Sequence, residues 1–182
     1  MDLRGRFDRI RENILFVPAE RFDSLAGGDG FNDSAAHLVL CLLLSVPIDL
    51  AVGALGGTLI QAMLSVPSSL VISLMLSYLI FAVQHLLLKL VGGHARLSES
   101  VSVFIYGNTV SLVFGGIPFL GIAAVFISLS NVVIGSARVH RIPLWRSALA
   151  LVVLPGILLA LILLYIFVTL PPGSSPAIPP AP

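Results

Sequence analysis

The sequence predicts an all-α, polytopic membrane protein, with five transmembrane helices and an N-terminal amphipathic helix lying in the headgroup plane. Three observations carry that expectation. Only 10% of the 182 residues are charged and mean hydropathy is +1.05, whereas a soluble domain carries roughly 25% charged residues. Twelve of the nineteen charged residues fall in the first 33 positions, leaving only Asp49, Lys89, Arg96, Glu99, Arg138, Arg141 and Arg146 beyond them. All ten Lys and Arg residues also fall on one side of a five-crossing path. The same composition excludes a water-soluble globule and a disordered chain. A net charge of +1 excludes a nucleic-acid binder, which needs a basic excess.

Residues 1–17 place Leu3, Phe7, Ile10 and Ile14 at helical spacing among Arg4, Arg6, Arg9 and Arg11, the pattern of an interfacial helix. Asp2, Asp8 and Glu12 offset that charge, so docking would rest on the apolar face. Residues 18–34 read as a cytoplasmic linker. Its Gly27-Gly28-Asp29-Gly30 run has no Gly-Lys-Ser/Thr after it and so is not a phosphate loop. The first long apolar run begins only at Ala35, too late for a signal peptide, so the N-terminus is expected to be retained.

Residues 35–170 read as the membrane domain. One crossing of a hydrocarbon core about 30 Å thick takes about 20 helical residues. The runs lack the alternation of a barrel strand. The first crossing covers residues 35–55 and ends at Gly53, Gly56 and Gly57. Residues 66–90 form the second, with 59–64 as a short segment at the outer surface. A six-crossing path turning at Pro67 would leave residues 58–66 to span roughly 14 Å, which is too short. Residues 101–137 carry no charge, and one helix of that length would reach roughly 56 Å. The run must fold back into a third and a fourth crossing. The Gly115, Gly116, Pro118, Gly121 cluster is where a turn is cheapest. The fifth crossing covers 147–170 and is interrupted by Pro155 and Gly156, and residues 171–182, with six prolines, form an extended outer tail. Five crossings bring the N-terminal tail and the loops at 89–99 and 138–146 to one face, so the positive-inside bias puts the N-terminus inside and the C-terminus outside.

Polar residues inside the apolar runs are the candidate sites. Ser65, Ser69, Ser73 and Ser77 form a stripe along the second crossing, read as a helix-packing seam. Small pairs four apart at Ser111 with Gly115, Ala124 with Ser128, and Gly156 with Ala160 carry the same meaning. Gln84, Asn108 and Asn131 all fall about 9 to 11 Å from the cytoplasmic ends of their crossings. Mutual hydrogen bonding, with help from Thr109 or Ser130, is the first reading of that amide cluster; a solute or ion site is the second. Asp49 is the one acid well inside an apolar run, and Pro47 two residues earlier frees a carbonyl beside it. A snorkelling or hydrogen-bonded carboxyl is the first reading there and a functional acid the second. Lys89, Arg96, Arg138, Arg141 and Arg146 make a cytoplasmic basic surface. No catalytic motif or paired carboxylates occur, Cys41 is the one cysteine, and His37, His85, His94 and His140 have no metal-ligand spacing. The expectation is neither an enzyme nor a protein with a cofactor or metal.

From Pro18 to about Tyr165 the chain resembles the Yip family, the Ypt/Rab-interacting membrane proteins. The residues that carry the resemblance are Pro18-Ala-Glu-Arg-Phe22, Leu86-Leu-Leu-Lys-Leu-Val-Gly-Gly-His94, Ser98-Glu-Ser100, Tyr106-Gly107, Ile117-Pro118, Gly135 and His140-Arg141-Ile142. It implies a five-helix membrane domain with a cytoplasmic N-terminus. It also implies a role in vesicle traffic or membrane shaping, and, as a partner, a Rab-type small GTPase. Family members often carry a proline shortly after the Tyr-Gly pair, where this chain has Asn108-Thr109-Val110. The region of about 34 residues before the first crossing resembles that of prokaryotic members, for which the location would be the cell membrane.

The leading expectation is a non-enzymatic scaffold or membrane organiser acting through its cytoplasmic face. Candidate partners are the lipid bilayer, a cytoplasmic protein and a second copy of the chain, with no nucleic acid. The competing expectation is a small channel or transporter with Asp49, Gln84, Asn108 and Asn131 lining a polar route.

Overall fold

Unpaired backbone is too costly in hydrocarbon for anything but helices or closed barrels. The computed structural model describes Asp8, Val17, Ala19–Leu25 and residues 31–169, and among them every regular element is helical. These are α1 (Ala19–Leu25), α2 (Phe31–Leu55), α3 (Leu59–Leu90), α4 (Leu97–Gly107), α5 (Thr109–Phe114), α6 (Leu120–His140), α7 (Leu144–Ala148), a π-helical turn (Leu149–Val153) and α8 (Leu154–Thr169). Among the described residues four stretches are long and apolar enough to cross a membrane: α2, α3, α6, and α7 through α8 as the continuous run Leu144–Thr169. Apart from Asp8 and Val17, the interfacial helix expected over 1–17 lies outside the described residues, as does the tail expected over 171–182.

Two helix starts differ from the sequence reading. Helix α2 begins at Phe31 rather than Ala35, with Asp33 in its first turn, where a carboxylate meets the positive end of the helix dipole. Helix α3 absorbs residues 59–64, expected as a separate surface segment, and runs unbroken for 32 residues with Pro67 inside it. Proline removes one helical bond, whereas unwinding that stretch would free several backbone groups at once. The α2–α3 hairpin turns at Gly57, whose φ of +72° only glycine adopts without strain. One turn earlier Gly53 brings the two helices together, since a Cβ there would lie 2.8 Å from the Ala62 Cβ.

Helices α4 and α5 run in series through the middle of the bundle, packed against α2 on one side and α6 on the other. Asn108 separates them at φ −90° and ψ 5°, and its side-chain amide donates to the Phe104 carbonyl at 2.7 Å. The break therefore forms here without proline, through a side chain that competes for a helical carbonyl. Gly107, just before it, faces Val132 so closely that a Cβ would fall 2.6 Å from that side chain's Cγ2.

In the last run the break expected at Pro155 sits one turn earlier. The N–H of Leu154 bonds to the Leu149 carbonyl, a π-type span. Pro155 offers no N–H, and in a regular helix its ring would press on the Leu151 carbonyl, a clash that a widened turn avoids. Helix α8 beyond it has no buried residue.

Candidate functional site

The core and most of the buried polar groups gather at the end of the bundle opposite the α2–α3 and α5–α6 hairpins. Two matching helix stops build that end. Helix α3 finishes with the Gly92 N–H on the Lys89 carbonyl at 3.1 Å and the Gly93 N–H on the Leu88 carbonyl at 2.9 Å, Gly92 having φ +94°. Helix α6 finishes the same way, with Arg141 on Arg138 at 3.1 Å, Ile142 on Ala137 at 3.0 Å, and Arg141 in the left-handed region at φ +55°. Both are Schellman stops. The His94 N–H donates to the His140 carbonyl at 3.2 Å, so the two stops are joined by a backbone bond.

Between the stops lies a buried serine held by two imidazoles. Ser100 Oγ is 2.7 Å from His85 Nδ1 and 2.7 Å from His140 Nε2, and it reaches the Arg96 carbonyl at 3.1 Å. The two imidazole rings stand 5.7 Å apart, centroid to centroid. One hydroxyl has a single proton for three neighbours, so at least one ring must donate an N–H to it. The other ring nitrogen of His140, Nδ1, is buried with no hydrogen-bond partner among the described residues and faces Gly93, where a Cβ would collide with it.

A second polar seam ties α2 to α4 and α5. Ser34 donates to Ser102 at 2.7 Å, His37 Nε2 meets the Thr109 hydroxyl at 3.1 Å, and the Tyr106 hydroxyl donates to Asp33 at 3.1 Å. The His37 and Tyr106 rings lie 4.6 Å apart. Helix α1 closes the same end from outside. Phe22 is buried against Gly135, and Asp23 accepts from Arg138 at 3.1 Å.

A model of the Yip1 domain matches residues 13–167. The chain belongs to that family. No curated protein and no solved structure matches it. With its apolar helices, this Yip1-domain chain is a multi-pass integral membrane protein. Most of the segments that carried the resemblance meet here: Phe22 with Gly135, Gly93 and His94 with His140, Ser100 with His140, and Tyr106-Gly107 between α2 and α6; Ile117-Pro118 lies in the α5–α6 turn at the other end. Spacing along the chain assigned His85 and His140 no role; both are buried and face Ser100. Periodicity within one segment carries no signal of which segments pair.

The other candidate residues divide. Lys89, Arg96, Arg138, Arg141 and Arg146 are all exposed on or beside the two joined stops. The three amides do not form a single network. Gln84 Oε1 is buried and takes no hydrogen bond among the described residues, so neither asparagine donates to it. Asn108 is spent on Phe104 and Ser111, and Asn131 is buried. On the hairpin side, Asp49 of α2 shares a crevice of about 100 Å³ with Ser45 and with Ser65, Ser69 and Ser73 of α3. Its carboxylate abuts Gly116 in the α5–α6 turn. Ser77 does not line the crevice described by those residues. The hydroxyls of Ser45, Ser65 and Ser69 each donate to a carbonyl three residues back on their own helix, so they do not hydrogen-bond across the seam.

Proposed function

We propose that this Yip1-domain protein is a non-enzymatic scaffold or membrane organiser that acts through the bundle end carrying the joined helix stops. In this reading the α4–α5 series is a fifth crossing, the N-terminus and the 89–99 and 138–146 loops are cytoplasmic, and the C-terminus is outside. Residues 1–17 lie in the headgroup plane, 18–34 link them to the 35–170 membrane domain, and 171–182 form the outer tail. The observation that supports it most is the meeting of most of the segments that carried the resemblance at one polar-cored, hydrogen-bonded end. A surface that recruits a membrane or a protein has to hold its shape, and buried hydrogen-bonded networks give that rigidity. A cytoplasmic protein, with small GTPases as the class the family implies, and a second copy of the chain are the partners of this reading.

Reconstitution of the full chain into vesicles tests it. Vesicle diameter, followed by light scattering and electron microscopy, falls as protein density rises. An unchanged size distribution at high density overturns the membrane-organising role.

One observation favours the channel or transporter reading. Asp49 lines a polar crevice with Ser65, Ser69 and Ser73, and intramembrane acids mark solute routes by default. Gln84, Asn108 and Asn131 do not line that crevice. Ion flux into vesicles that Asp49→Asn abolishes would establish this second reading; absence of flux in the parent protein removes it.

A further inference from the structure

The five basic residues at the joined stops do not share one electrostatic state. Arg138 is neutralised by Asp23 at 3.1 Å. Glu99, beside Arg96, takes the Arg96 backbone N–H at 2.8 Å. Lys89, Arg96, Arg141 and Arg146 have no ion-pair partner among the described residues, and all four are exposed.

Their setting is apolar on the outside. Trp145 is 63% exposed, Leu144 55% and Leu90 79%. The Arg146 guanidinium stands 5.2 Å over the Trp145 ring, a cation–π contact that holds it at the level of the indole. It also reaches the end of α3, since a Cβ at Gly92 would lie in ordinary contact, 3.6 Å from Nη1. Unneutralised cations, an exposed indole and bare leucines on one surface match the boundary between hydrocarbon and headgroups.

We infer that the exposed surface where the end of α3 meets the start of α7 is a binding site for the phosphate of an anionic phospholipid, held by Lys89, Arg141 and Arg146 with Trp145 and Leu144 against the acyl region. This rests on the reading that this end of the bundle meets the bilayer surface. Charge complementarity selects the occupant. A guanidinium gives paired N–H donors to phosphate oxygens, and an acidic protein surface would leave Leu90, Leu144 and Trp145 facing water.

The test uses the full chain in nanodiscs of phosphatidylcholine alone and of phosphatidylcholine with phosphatidylglycerol. Native mass spectrometry reads the retained lipid, and thermal unfolding reads its effect. The expected result is enrichment of phosphatidylglycerol over its bulk fraction, reduced about fivefold for each charge removed among Lys89→Gln, Arg141→Gln and Arg146→Gln. Unfolding of these variants in pure phosphatidylcholine checks their fold, and the enrichment falls as salt rises. Retention of phosphatidylglycerol at its bulk fraction by the parent protein, or undiminished enrichment in the triple variant, overturns the assignment. So does inorganic phosphate that reproduces the stabilisation in phosphatidylcholine alone, which would make the site one for a free anion. Vesicle reshaping in pure phosphatidylcholine is a separate readout, so the scaffold role and the lipid site can fail independently.

Discussion

The Phe22 ring lies against the bare α-carbon of Gly135: a Cβ built there would sit 2.5 to 2.8 Å from three ring atoms. This contact docks α1 on α6. Phe22 is 1% exposed and shares its cluster with Val17, Leu25, Ala95, Val103, Tyr106 and Val139. Gly135→Ala forces the ring out or shifts the helix, at a cost of about 1–3 kcal/mol typical of overpacked cores. Limited proteolysis should then cut ahead of α2 faster than in the parent protein, with the α6 end still protected. Unchanged cleavage would mean that α1 is held elsewhere.

The serine between two imidazoles makes a second prediction. Ser100→Ala removes the one group that both rings face and leaves buried nitrogens unsatisfied, which costs about 1–3 kcal/mol. Melting in detergent should fall by several degrees. A His85→Ala/Ser100→Ala double variant should lose less than the sum of its two single losses, because the second removal takes away a group already orphaned. Additive losses would show that the bridge is not a coupled unit.

The contrast between these two sites explains what was legible in the sequence. Crossings follow from local apolar length, and the α5–α6 turn follows from Gly115, Gly116 and Pro118, so both could be read from short windows. Gly135 and Phe22 stood out only through the family resemblance. The bridge of His85, Ser100 and His140 joins three helices, and no spacing within one segment encodes such a meeting. Equal depth put Gln84, Asn108 and Asn131 together on paper, but depth fixes one coordinate and leaves the facing of each side chain open. The unbroken start of α3 was missed because residues 66–90 already supply the roughly 20 residues one crossing takes, which left 59–64 as surplus.

Gln84 and Tyr106 should respond in opposite ways to removal of their polar atoms. The Gln84 carbonyl oxygen is buried without a donor, so Gln84→Leu removes an unmet group and should leave the melting temperature unchanged or raise it. Tyr106→Phe deletes the bond from its hydroxyl to Asp33, worth about 1 kcal/mol or more to a charged acceptor. It should lower the melting temperature. A loss in the glutamine variant comparable to that in the tyrosine variant would restore a structural role for the amide.

The fifth crossing has the sharpest test, because moving one boundary reverses the side on which every later loop emerges. Cys41 is buried, so the parent protein gives little background to an aqueous maleimide. Single cysteines at Gln61 and Pro118 mark the hairpin end, and cysteines at His94 and Pro143 mark the end with the joined stops. With α4 and α5 acting as one crossing broken at Asn108, an impermeant reagent added to sealed right-side-out membranes labels Gln61→Cys and Pro118→Cys. His94→Cys and Pro143→Cys react only after permeabilisation. Cysteine at Ser174 should label with the first pair if the last run crosses completely. Were Ser174→Cys instead protected together with His94→Cys, the chain would cross an even number of times, and the basic loops and the C-terminal tail would share one compartment.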